Sequence, residues 1–562
     1  MILQLEIWKA VRNCQRSYIR NKGLDNARKT LEKKGIFVRE SSGLVREMGA
    51  FEAFSIAAGT VNPTIWAVSA FVGFLIFVAP GASVATAITF GFLVILLSAI
   101  VYSLFGIVIP RTGGEYVTVG RAIHPAVGFA TSWVLWIFVM LTLSTCMTFV
   151  QWTLCTAPFL AMMGHRLHDA GLLSAAASMS NPNVIMGLAL VWITVTGLIV
   201  AFGRKWVTRV FIFLWIFMIA GVVIQAYLLA TSTPEMFRTA FSQYVGGTTS
   251  VDQIFKIATE HGWDPNTYKM PEWTASIAGI GVSMFLFNGF GYAIDCAGEI
   301  KNVRRNLPLA TAIGLIIVFI VDVIGMALAP MGIGYDFLYA SQYVQSLGLW
   351  TLPSPPFVTY FAGALTDNIF LIFIMGFSLF IANLVPVISM WYVCTRIMFA
   401  WSFDRVIPAA FADVNPRFHT PTKAIIATGI ITVFGSALVE YTPYAYAMLN
   451  TAAGTATVWL LAAVAAAIIP FRLKDTYNKS AGKFNIGGVP VMSVLAIIDI
   501  PLLAWAIYTA MSTPAIGATG PLAVALLAGA FLSGFIAYYV AKAVRKSQGI
   551  NLDLVFKEIP PV

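Results

Sequence analysis

Ser55-Ile56-Ala57-Ala58-Gly59-Thr60-Val61-Asn62-Pro63-Thr64 and Phe285-Leu286-Phe287-Asn288-Gly289-Phe290-Gly291-Tyr292 each interrupt a long apolar run. Pro63 has no N–H to give and obstructs the preceding turn, so a helix here should open around 59–63. Gly289 and Gly291, with Asn288 beside them, favour an unwound stretch in the second run, because glycine reaches backbone conformations that other residues avoid. Opened backbone at membrane depth is tolerated only where it lines a cavity or is buried in protein. A pair of such breaks at matching places in two halves of a chain points to a solute site near the membrane midplane.

Composition places these runs in a membrane. The 562 residues are 59% hydrophobic and 11% charged, with a mean hydropathy of +0.81. A soluble domain is about 45–50% apolar and about 25% charged. A spanning helix needs about 20 apolar residues. Twelve segments qualify: 51–78, 83–109, 127–160, 184–202, 206–231, 273–298, 308–330, 366–400, 423–439, 444–469, 489–512 and 519–541. The expected fold is all-α and polytopic, since a membrane barrel would show short alternating strands instead. The two breaks fall in segments 1 and 6, the offset that a five-plus-five inverted repeat requires.

The net charge of +10 is a topology signal. With the N-terminus on the cytoplasmic side, 31 of the 35 Lys and Arg fall in inner segments. That asymmetry follows the positive-inside rule, puts both termini in the cytoplasm and leaves no nucleic-acid footprint. The expected layout is a basic arm (1–48), a first repeat (49–231), an outer loop (232–272), a second repeat (273–469), peripheral segments 11 and 12 (470–541) and an inner tail (542–562). The arm would also rest near anionic lipid. Loop 232–272 should form short surface helices, and it and loop 331–365 could shape an outer entrance. Five scattered cysteines without a CxxC exclude a disulfide scaffold or a zinc site.

Three motifs carry a family resemblance. Pro110-Arg111-Thr112-Gly113-Gly114-Glu115-Tyr116 follows segment 2, Gly298-Glu299-Ile300-Lys301-Asn302 with Arg305-Asn306-Leu307-Pro308 follows segment 6, and Asp404-Arg405-Val406-Ile407-Pro408 follows segment 8. They resemble signatures of the amino acid–polyamine–organocation (APC) superfamily, in its archaeal and bacterial amino-acid permease branch. The resemblance covers about 40–562 and implies a LeuT-like fold, with discontinuous helices 1 and 6. It further implies substrate contacts at Ala58, Gly59, Thr60, Val61 and Asn62, and at Phe287, Asn288, Gly289 and Phe290. Phe285 stands where relatives place a gating aromatic. The sequence departs from the pattern at Pro63, which cannot donate to a carboxylate, and at Gly291, where some relatives carry an acid. Segment 5 lacks the lysine that some proton-coupled relatives use.

Acids inside apolar segments are functional candidates, because an intramembrane charge is costly. Asp295, beside the second break, is a candidate proton carrier or partner of a cationic substrate, unless Arg304 or Lys301 neutralises it. Asp322 is a second candidate. Glu52 and Asp499 lie near span ends and read as structural. Ser378 and Asn383 could line a sodium-type site with segment 1 carbonyls. Arg111, Gly113, Gly114, Glu115, Glu299 and Arg305 form a candidate inner gate, in which Arg111 and Glu115 would meet opposite charges such as Glu299 and Arg305. Together these point to a secondary transporter of an amino acid or related amine in the cytoplasmic (plasma) membrane. Its partners would be a small-molecule substrate, lipid and a coupling H+ or Na+, with no cofactor. A polyamine or organic-cation carrier, and a channel or nutrient sensor on the same fold, remain alternatives. An enzyme is disfavoured, as no GxSxG, HExxH or Walker A pattern occurs.

Overall fold

A computed structural model describes residues 44–61, 67–442, 451–513 and 519–556. Among these are 10 helices long and apolar enough to cross a membrane. Each coincides with one of the segments read from the sequence. Segments 1 and 6 are the two that lack such a helix. Segment 1 is helical over Ala50–Val61 and again over Val72–Val78. Segment 6 is divided into Glu272–Ala278, Ile280–Leu286 and Tyr292–Asp295.

The exposed faces follow from lipid as the solvent. On Arg204–Ala230, Ile212, Ile216, Ile219 and Val223 are exposed, while Phe211, Leu214, Trp215 and Met218 are buried. An apolar stripe at helical spacing on the outside is what a lipid-facing helix needs. Leu384–Phe403 of segment 8 is buried almost all round and forms the centre of the bundle. Gly520–Ser547 faces outward along much of its length, with Leu522, Val524, Leu532 and Ile536 exposed.

Loop contacts sort into two ends. At the basic end, Arg46 bonds the Gly298 and Pro110 carbonyls, Arg472 the Ile123 carbonyl and Arg545 the Arg405 carbonyl. At the other end, Gly81 donates to Tyr335, the Tyr268 hydroxyl to Asp336 and the Tyr343 hydroxyl to the His261 carbonyl. Loop 232–272 carries the surface helices Pro234–Tyr244 and Val251–Glu260. Segment 7 departs from expectation: its helical path continues from Val303 to Ser346, far past residue 330. A widened π-helical turn at Pro330–Gly334 absorbs the proline, so that residue does not end the helix.

Candidate functional site

Segment 1 sits between segments 5, 7 and 8. A Cβ on Gly59 would fall 2.2 Å from Val385 Cγ1, so the missing side chain lets segments 1 and 8 approach closely. Trp215 of segment 5 donates to Ser55 Oγ at 2.9 Å, and Ala58 packs against Gly314 of segment 7. The helix runs on through Val61, so Gly59 and Thr60 stay helical where an opening was expected. Asn62 and Pro63, and the side chains of Thr60, Val61 and Phe285, lie outside the described residues.

The break in segment 6 falls at Phe287–Gly291, where Gly289 takes φ +113. That left-handed conformation is the reason a glycine stands here. Phe287 is buried edge-on to Phe92, with ring centres 5.8 Å apart. Phe290 packs on Tyr102 at 5.5 Å and on Trp459 at 4.6 Å. Asn288 Oδ1 is buried without a hydrogen bond. Its side chain borders a pocket of about 20 Å³ with Ile95, Thr455 and Trp459. That space is about the size of one water and too small for an amino acid.

Just past the break, two acids meet. Gly113 N–H donates to the Asp295 carbonyl at 2.9 Å, and a Cβ on Gly114 would lie 3.2 Å from Asp295 Oδ1. The glycine pair therefore lets the Gly114–Ala122 helix press onto segment 6 and turns Glu115 inward. Glu115 and Asp295 are 2% and 1% exposed. The Glu115 carboxyl interacts with Tyr102 and with Asp295, and burial pushes it up to about 7. Among the described residues no cation acts on either acid, and Glu115 Oε2, both Asp295 oxygens and the Tyr102 hydroxyl lack a well-aligned hydrogen bond. Two buried carboxyls in contact, with no counter-charge among the described residues, disfavour ionisation of both at once. Lys301 and Arg304, the alternative partners that could have neutralised Asp295, are exposed.

Asp322 is wholly buried, and both its carboxyl oxygens lack hydrogen bonds. Residues 314, 318, 322 and 325 share one helical face. Gly314 on that face abuts Phe54 and Ala58 before the interruption in segment 1, and Gly325 abuts Val68 after it. Asp322 thus faces segment 1 at the level of its interruption.

Other expectations are corrected. Glu299 does not meet Arg111: it pairs with Arg396 of segment 8 through two bonds of 2.8 and 3.0 Å. Arg305 is exposed, and Glu115 points away from it into the bundle. Ser378 donates to the Met218 carbonyl at 3.5 Å and Asn383 to the Cys146 carbonyl at 2.6 Å, in segments 5 and 3. The segment 8 hydroxyl that reaches a segment 1 carbonyl is Ser389, bonded to Ser55 O at 3.4 Å. Glu52 is structural, bridging Arg204, Thr208 and the Gly49 amide. Asp499 accepts from Ser98 at 2.7 Å. Sequence reading missed Arg396 and the buried Arg121–Asp404 pair at 2.8 Å. Arginines inside or beside apolar runs were the available signal.

A family model described as amino acid permease matches residues 48–532. The branched-chain amino acid permease BcaP of Bacillus subtilis (strain 168) is 25% identical over 464 residues, covering 81% of this chain and 86% of that protein. The methylthioribose transporter of the same organism is 26% identical over 489 residues, covering 84% and 89%. Human cationic amino acid transporter 4 is 24% identical over 193 residues, covering 33% of this chain and 27% of that protein.

Proposed function

Because the chain belongs to the amino acid permease family, we propose that it carries an amino acid or related amine across the plasma membrane by alternating access, coupled to a proton. The observation that carries this reading is the interrupted segment 6, with its opened backbone at Phe287–Gly291 and the Glu115–Asp295 pair directly beyond it, which meets no cation among the described residues. Opened backbone supplies unpaired N–H and C=O groups for the charged ends of a solute. The carboxyl pair supplies a group that can take and release one proton. Ala58, Gly59, Thr60, Val61 and Asn62 would form one wall of the site, and Phe285, Phe287, Asn288, Gly289 and Phe290 the other. In this reading segments 1–5 and 6–10 are inverted repeats, the chain crosses twelve times, and both termini lie in the cytoplasm with the basic end of the bundle. Glu299, Arg396, Arg111 and Arg305 then belong to the inner gate.

The named solutes of the two long relatives differ, so the solute must be measured. Asp322, buried and facing the interruption in segment 1, favours a second reading in which the solute is a polyamine or another organic cation. Uptake by purified protein in liposomes, across a panel of neutral and cationic amino acids, polyamines and methylthioribose, separates these readings. Saturable accumulation against a gradient is expected. Non-saturating flux that ignores every gradient would replace the carrier with a channel. Asn288→Leu should abolish accumulation at normal expression, and wild-type uptake in that variant would remove segment 6 from the site.

A further inference from the structure

A cavity of about 360 Å³ opens at the basic end of the bundle, away from the opened backbone at Phe287–Gly291. Its walls are Val45 and Glu47 before segment 1, Glu299 after segment 6, Tyr392 and Arg396 of segment 8, the turn between segments 4 and 5 and the residues just before segment 9. The last two walls abut: a Cβ on Gly203 would lie 2.5 Å from the Phe418 carbonyl oxygen. Five cations line it, Arg204, Lys205, Arg209, Arg396 and Arg417, against the two carboxylates Glu47 and Glu299. Arg204 is taken up by Glu47 and Glu52, and Arg396 by Glu299. Lys205, Arg209 and Arg417 pair with no carboxylate among the described residues. Arg209 and Arg417 lie instead over the rings of Trp206 and Phe418, at 5.4 and 5.2 Å. Three like charges around one cavity repel one another and favour an anion between them.

The mouth of the cavity says which anion. Phe202 and Trp206 at its rim are 46% and 52% exposed. They continue the lipid-facing stripes of segments 4 and 5, where Val195, Leu198, Ile212 and Ile216 are exposed. Tryptophan at the edge of such a stripe marks the headgroup level of a bilayer, and basic pockets between membrane helices at that level take anionic head groups. A soluble anion would need no such apolar rim. We propose that this cavity is a binding site for the phosphodiester headgroup of an anionic phospholipid, held by Lys205, Arg209 and Arg417 with its acyl chains along Phe202 and Trp206.

The test uses the full chain, purified and delipidated in detergent, titrated with phosphatidylglycerol or phosphatidylcholine and read by native mass spectrometry. The wild type should retain phosphatidylglycerol in preference to phosphatidylcholine. The triple variant Lys205→Gln, Arg209→Gln, Arg417→Gln should bind phosphatidylglycerol roughly tenfold or more weakly; all three residues are exposed, so the fold should tolerate the change. The control Lys474→Gln, Lys479→Gln, Lys483→Gln removes the same charge from another basic loop and should leave binding near wild type. No preference between the two lipids, or an equal loss in the control, would overturn the site. Displacement of the lipid by inorganic phosphate at matched concentration would make the ligand a soluble anion and overturn the lipid assignment.

Discussion

Asp295 and Glu299 lie four residues apart at the basic end of segment 6, and both are buried. Their surroundings are opposite. Glu299 meets a guanidinium: Arg396 grips it with two bonds and stacks over Tyr392 at 4.1 Å. Asp295 meets another acid, Glu115. Held by a buried guanidinium through two bonds, Glu299 acts as a strut between segments 6 and 8. Asp295 has a second carboxyl beside it, which under the proposed function is where a proton would be exchanged. The same short stretch therefore holds one contact braced by an opposite charge and one between like groups, and under the proposed function only the second would respond to protons.

The comparison breaks most readily at the strut. Arg396→Gln leaves Glu299 buried and uncompensated, which should cost about 3–5 kcal/mol of stability. Thermal unfolding in detergent reads this directly, and a loss below about 1 kcal/mol would mean that the pair is not a strut. Next in size is the glycine pair that brings Glu115 inward. Gly113 has φ +88, and its Cβ would fall 2.3 Å from Ala400 Cβ. Gly113→Ala should therefore destabilise by about 2–3 kcal/mol and weaken the response of uptake to pH; an unchanged pH profile would show that the acid pair does not depend on this packing.

The acid pair itself should show in the pH dependence of stability. Burial raises Glu115 from 4.5 to about 7. Between those values the folded protein holds a proton that the unfolded chain has lost, so stability falls as pH rises from about 4.5 to about 7 and levels off above. Glu115→Gln should flatten that slope. A slope of opposite sign, or one untouched by the substitution, would place the titration elsewhere. The smallest effect belongs to a surface pair. Lys423 meets Asp413 at 2.6 Å with both side chains more than half exposed, and Lys423→Gln should change stability by no more than about 1 kcal/mol.

Much of the fold was legible in the sequence because lipid imposes long apolar runs, and the glycines at 289 and 291 interrupt one of them visibly. Cross-bundle partners were not legible. Glu299 and Arg396 are 97 residues apart, and Arg121 and Asp404 are 283 apart, so only packing brings them together. Pairing Arg111 with Glu299 assumed that charges in neighbouring loops meet at the surface; Gly113 and Gly114 instead fold the motif against segment 6. Asn383 was read as facing segment 1, whereas helix register turns it to the π-helical stretch Cys146–Thr156 of segment 3. Segment 7 was read as ending at 330, and a wider helical turn at Pro330–Gly334 carries the helix on.

The titratable role of the acid pair is tested most directly by uptake into liposomes under an imposed pH gradient, with wild type, Asp295→Asn and Glu115→Gln compared at equal incorporation. Wild type should accumulate solute only when the gradient drives protons inward, and both variants should lose that accumulation while retaining solute exchange without a gradient. Accumulation driven by a sodium gradient alone, or wild-type proton-driven uptake in either variant, would contradict it.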